Sequence, residues 1–192
     1  MSVVVLSEGK HDVELLTALH RASTDEKNYD TFVAPEANTD QDTRIRQHDV
    51  DEAIRWLYKA EGGRSMVLKK FRSNAIRFRE FDLVVIVDLD DDSYGEFETQ
   101  FNATLDEHYN GSLRVESVDH ERNPHVQIHE CGVFVEGTER YRFDLIAFHD
   151  CLEAVTGVYD GEQRHHYRAK IVRYVDHCES VCEDLREVVL AE

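Results

Sequence analysis

Carboxylates gathered at two places in the chain have the types and spacing for metal chemistry. The stretch "DLVVIVDLDDD" (82–92) sets Asp88, Asp90, Asp91 and Asp92 directly behind a continuous apolar run, and "SVVVLSEG" (2–9) sets Glu8 behind another. Like charges held so close are costly unless something positive joins them. A hard divalent cation is the economical partner. Mg²⁺ takes oxygen ligands, keeps several waters, and is usually held by one or two carboxylates plus substrate phosphate oxygens. Such an ion does phosphoryl chemistry by polarising the phosphate, generating a nucleophile and neutralising the leaving oxygen. Asp88 and Asp90, one residue apart, can bind from a single turn while Leu89 points into the core.

Other chemistries find less support in the residues. The chain has no G-x-S-x-G, no G-x-x-x-x-G-K and no G-x-G-x-x-G, which removes serine hydrolase, P-loop NTPase and dinucleotide-binding readings. Its four cysteines, Cys131, Cys151, Cys178 and Cys182, form no C-x-x-C pair, so neither a disulfide framework nor a structural zinc site is implied. Cys178 and Cys182 share one face if their segment is helical, and read as buried thiols. His120, His125 and His129 surround one expected strand without a common face, and His165 and His166 diverge at a helix start. His11, close to Glu8, is the histidine placed to donate a proton or touch a phosphate.

Strands and helices must position these groups. Residues 2–7 and 83–88 read as buried strands, 29–34 as another, and 12–22 and 95–109 as amphipathic helices. The stretch 49–63 has an acidic start, Ile54 and Leu57 at helical spacing and a diglycine end, which predicts a helix. Residues 65–80 predict another, with Val67, Phe71, Ile76 and Phe78 inward, and 35–49 a polar loop. Continuously apolar strands alternating with helices predict an α/β fold, a parallel sheet covered on both faces. Further on, "LRVESV" and "HVQIHE" predict strands and 133–143 a hairpin; "DLIAFHDCLEAV" and 165–190 predict helices. With no linker in evidence, residues 111–192 are expected to complete, as an α+β extension, the domain whose core is 1–110.

In an open α/β sheet, ligands sit beyond the carboxyl ends of the parallel strands, where Glu8 and Asp88 would both stand. Here the chain resembles the Toprim family. "SEGKHDVELL" is similar to its first signature, a strand ending in glutamate and glycine with an aspartate before an apolar helix. "VVIVDLDDDSYGE" is similar to the second, a buried strand ending in D-x-D. The resemblance covers residues 2 to about 110 and implies a Toprim-like (Rossmann-like) core. It implies Glu8 as metal ligand or general acid/base, Asp88 and Asp90 as metal ligands, and Asp92 as a further ligand for a second ion, with Asp91 solvated. It also implies Gly9 as a close-approach turn, Asp12 as a helix cap rather than a ligand, and Lys10 as a phosphate contact. The cofactor would be Mg²⁺ or Mn²⁺, and the activity hydrolysis of DNA or RNA phosphodiesters. Where the family's topoisomerases carry arginine and glutamate behind D-x-D, this chain has "DDSYGE", and it has no zinc ribbon. Stand-alone nucleases and the OLD (overcoming lysogenization defect) nucleases are the nearest comparison. A different reading keeps the acidic rim on a non-catalytic scaffold acting through a protein partner such as an ATPase. A receiver-like phospho-acceptor would need its acidic pair after the first strand, where Glu8 stands alone.

Forty acidic against twenty-two basic residues give a formal net charge of −18, with acids spread over every segment and lysine rare. That composition resembles the proteome of a salt-in halophile. Within it the window "GGRSMVLKKFRSNAIRFR" (62–79) holds Lys69, Lys70, Arg72, Arg77 and Arg79, besides Arg64, and not one acid. It is the expected nucleic-acid contact, with Arg44 and Arg46 adding to it. No long apolar run and no signal-peptide pattern appear, so the expectation is a cytoplasmic protein with no membrane partner.

Overall fold

The computed structural model describes residues 2–24, 28–33, 55–122, 125–149, 151–159 and 161–190. Seven strands form one sheet: β1 (Val3–Ser7), β2 (Tyr29–Val33), β3 (Trp56–Ala60), β4 (Asp82–Asp88), β5 (Leu113–Arg122), β6 (Val126–Val135) and β7 (Thr138–Phe148). Their order is β2-β3-β1-β4-β7-β6-β5. The first five in that order are parallel, and β6 and β5 add antiparallel strands beyond β7. The fold is therefore α/β, with a mostly parallel sheet flanked by helices, compatible with a Rossmann-like architecture.

One face carries α1 (Lys10–Ser23), α4 (Leu152–Thr156), α5 (Arg164–His177) and α6 (Glu179–Leu190); the other carries α2 (Arg64–Asn74) and α3 (Tyr94–Tyr109). Side chains on each strand alternate between two cores. Val3, Val5, Val84 and Ile86 pack under α1, and Val4, Leu6, Val85 and Val87 pack under α2 and α3. Both faces are buried, so β1 and β4 read as unbroken apolar runs. At the edge strand β5, Asn102 of α3 bonds both the amide and the carbonyl of Val115, covering part of an otherwise unpaired backbone.

Three expectations from sequence are corrected. The helix predicted over 49–63 is, where described, strand β3. Trp56, Tyr58 and Ala60 enter one core and Leu57 the other, while Lys59 is buried beside Glu61 and the Phe32 ring. Two-sided burial removes the alternation that marks a strand, and short apolar runs do not distinguish the two states. Ile54 and the polar loop with Arg44 and Arg46 lie outside the described residues. The helix predicted from "DLIAF" onward is likewise strand β7 up to Phe148, with only α4 helical, because β7 is sandwiched between β4 and β6. Ile76 is 55% exposed instead of inward: α2 ends at Asn74, and a 3₁₀ turn at Phe78–Glu80 buries Phe78 in its place.

The second core is knit by ring contacts of Phe71 with Phe78, Phe101 and Phe143, at centroid distances of 5.6, 4.8 and 5.0 Å. Phe71→Ala is expected to cost about 3–5 kcal/mol. Thermal unfolding in molar KCl would register this as a fall in Tm of roughly 10 °C; a fall of only a degree or two would contradict the packing described.

Candidate functional site

The parallel pairing of β1 with β4 brings the two acidic strand ends together. Val3 lies opposite Asp82 and Leu6 opposite Val85, so the chain emerges at Glu8 beside Asp88. The Asp88 amide donates to Glu8 Oε1 at 3.0 Å. Beyond Asp88, Leu89 is buried as expected and its amide donates to Phe148 O at 2.8 Å, while Asp90 takes a left-handed backbone with φ 52°. A turn closed by Asp92 N to Leu89 O, 2.8 Å, brings Asp92 back towards α2.

Each acid is held by local structure. Gly9 caps α1, and its amide donates to Asp12 Oδ2 at 2.8 Å; Asp12 thus orients the first turn of the helix. The diglycine at 62–63, expected to stop a helix, is instead the β3–α2 turn. Its φ values of 90° and 110° favour glycine, and both amides donate to Glu8 O, at 2.9 and 2.8 Å. The same turn places Arg64 at the rim. Its Nη1 donates to Asp88 O at 3.2 Å and pairs with Asp92 Oδ2 at 3.0 Å.

Burial dominates the electrostatics. It pushes Asp88 up to about 8, with the neighbouring carboxylates of Asp12, Glu8 and Glu153 adding to it and a backbone hydrogen bond from Leu152 opposing it. Burial likewise raises Asp12 to about 7 and Glu8 to about 7, the latter opposed by the Asp88 amide and Arg64. Asp88 Oδ1 is buried with no hydrogen-bond partner among the described residues. Glu153 of α4 is a fourth carboxylate at this rim that sequence reasoning missed. It is hydrogen-bonded to His11, whose Nδ1 lies 2.7 Å from Glu153 Oε1. Arg64 was also not singled out as a site residue; the signal was present in its position directly after the diglycine.

Among the described residues, no three His, Cys, Asp or Glu side chains form a cage for a metal ion. The residues nevertheless fit a Mg²⁺-type ion in one respect: a buried, unpartnered carboxylate oxygen beside a second carboxylate, where such an ion needs only one or two protein ligands. Asp92 is committed to Arg64.

The basic window is not gathered at this rim. α2 leads from the carboxyl end of β3 back to the amino end of β4, and its eleven residues span about 16 Å. Arg64 is therefore at the rim, and Arg77 and Arg79 stand near the opposite edge, just before Asp82. Arg72 pairs with Glu107 at 2.7 Å, Lys70 is buried 3.9 Å from Glu61 Oε2, and Lys69 is exposed. Lys10, the first residue of α1, is half-buried close to Glu8. His120 and His129 face each other across β5 and β6 with rings stacked at 5.5 Å, and His129 is further held by Ser117 Oγ at 2.9 Å and stacked on Tyr94.

Compared with known proteins, the chain matches no family model and no curated protein.

On folding, Asp88 moves from an ordinary 3.8 to about 8, so between these values the folded state binds more protons than the unfolded chain. Stability therefore falls as pH rises through that window. Asp88→Asn is expected to stabilise the ion-free protein near pH 8 by on the order of 1–2 kcal/mol, and to change little below about pH 4. Thermal unfolding in chelator across this range checks it; a variant less stable than the parent near pH 8 would contradict the desolvation argument.

Proposed function

We propose that the protein is a Toprim-type phosphodiester hydrolase that uses Mg²⁺ or Mn²⁺ to cut DNA or RNA. The observation that carries the reading is the Glu8–Asp88 junction: two acids on neighbouring parallel strands, joined by the hydrogen bond from the Asp88 amide, with Asp88 Oδ1 left unpartnered. Supporting the reading, Glu8 and Asp88 stand at the carboxyl ends of neighbouring parallel strands of one sheet. Glu8 and Asp88 would hold the ion, with Asp90 and Asp92 in the turn beside them. When bound, the ion polarises a phosphate and makes water a competent nucleophile near neutral pH.

The chain's own residues supply the rest. Glu8, raised to about 7 by burial in the ion-free site, would give up its proton on binding the ion, with Oε1 held by the Asp88 amide. Arg64 holds the Asp88–Asp92 turn by its carbonyl and its last carboxylate, leaving the Asp88 side chain open to a cation. Asp12 fixes the amide of Gly9, and hence the direction in which Glu8 leaves β1.

Calorimetry with Mg²⁺ and Mn²⁺ in molar KCl is expected to show binding that Asp88→Ala combined with Asp90→Ala abolishes. Cleavage of labelled single-stranded and double-stranded DNA and RNA should fall in the same variant by at least about a hundredfold, the scale of losing a charge-stabilising group. A parent protein that binds neither ion would remove the catalytic reading and leave the scaffold that acts through a protein partner.

A further inference from the structure

A cavity of about 320 Å³ lies between α1, β2 and α5, on the side of the sheet opposite α2. Its charged lining is Lys10, Arg21, Arg164 and Arg168 against Glu14 alone, three net positive charges on a chain of net charge −18. A second cavity, along the amino ends of β1 and β4, carries six carboxylates against Arg142 alone, so the positive lining is not the general character of this surface.

The groove is built rather than incidental. Glu14, with only 11% of its side chain exposed, accepts from Arg164 at 2.8 and 3.1 Å through Oε1 and from Arg168 at 2.6 Å through Oε2. One anchored carboxylate thus fixes two arginines on successive turns of α5, whose side chains are still 67% and 42% exposed. Arg21 is fixed across the groove by Nε donating to Tyr29 Oη at 3.0 Å. Holding a guanidinium by one edge leaves its remaining N–H groups to bind phosphate oxygens, and the fixed geometry lowers the ordering cost of doing so. Lys10 and Arg164 are the first residues of two fourteen-residue helices, so two helix amino ends add their partial positive charge to the same groove. Lys10 is also two residues from Glu8, which sets this end of the groove close to the acidic rim.

We propose that this groove, and not the basic stretch of α2, is the track for the phosphate backbone of a nucleic-acid strand, leading it to the Glu8–Asp88 rim. The proposal rests on the hydrolase reading for its destination but on the groove alone for its binding.

The test is anisotropy of fluorescein-labelled 20-mers, single- and double-stranded, measured with the full chain in chelator over a KCl series. The parent should bind, and Arg21→Gln with Arg164→Gln should weaken binding at least about tenfold. The slope of log K against log[KCl] should become shallower by roughly 1.5, the share of two phosphate contacts. Lys69→Gln with Arg77→Gln should bind like the parent. Binding that persists in a parent that cuts nothing would sink the hydrolase reading and leave the groove standing. Cleavage by the parent with an unchanged affinity and slope in Arg21→Gln/Arg164→Gln would overturn the groove, as would a parent that binds no oligonucleotide. Full displacement by millimolar inorganic phosphate, with no dependence on oligonucleotide length, would assign the groove to a lone phosphate and overturn the strand proposal.

Discussion

The rest of the structure is arranged around an unfavourable contact: carboxylates taken out of water at the place where β1 and β4 end together. Glu8, Asp12 and Asp88 repel one another there with Glu153 beside them, and burial adds to this by penalising the charged forms of Glu8, Asp12 and Asp88. A protein can relieve such a cluster with a facing cation, but this one does so only in part. Arg64 touches the Asp88 carbonyl and the Asp92 carboxylate, while the Asp88 carboxylate has burial to contend with and one oxygen without a partner. The buried lysines nearby, Lys59 and Lys70, are directed at Glu61, 3.6 and 3.9 Å from its oxygens. The acidic rim is thus left short of positive charge although cations stand one strand away.

Holding that cluster requires rigid scaffolding, and the backbone provides it. The amides of Gly62 and Gly63 secure the Glu8 carbonyl, the amide of Asp88 secures its carboxylate, and Asp12 secures the turn between them. These bonds tie β1, β3, β4 and the starts of α1 and α2 into one unit. Tolerating buried like charges is costly in stability, so it requires compensation elsewhere. The two cores, each filled by large side chains with no exposure, provide it: Leu15, Leu16 and Tyr58 on one side, Phe71, Phe97 and Phe101 on the other.

The elements legible in the sequence are those whose burial leaves a distinctive pattern. β1 and β4 were recognisable because apolar runs ended abruptly in acids, α3 because one face alone is buried, and α1 because Val13, Leu15, Leu16 and Leu19 cluster at helical spacing. β3 was not, since a buried lysine interrupts its run and two glycines behind it imitate a helix end. β7 was not, because its apolar half is enclosed by strands on both edges and helices on both faces, a setting that erases period. The meeting of Glu8 with Asp88 could be inferred from strand ends alone, since parallel neighbours deliver their carboxyl ends to one rim. The contribution of Glu153 could not. It comes from a five-residue helix 145 positions away, and depends on β7 lying next to β4, a long-range pairing with no local trace.

The same distinction between local and global applies to charge. A net charge of −18 suggests that anions are repelled, yet the screening length shrinks to about 3 Å at 1 M salt, so a phosphate under such conditions responds to the few groups it touches and hardly to the total. What then matters is whether cations are pre-positioned, and whether an acid stands among them as a competitor or as an anchor. Glu14 is an anchor: only 11% of its side chain is exposed, and its two oxygens are engaged by Arg164 and Arg168. The basic stretch of α2 has the richer composition but the poorer arrangement, with one arginine paired to Glu107, one lysine buried, and two arginines at the far edge of the sheet. Counting charges along the sequence ranks the two surfaces one way; the direction in which α2 crosses the sheet ranks them the other.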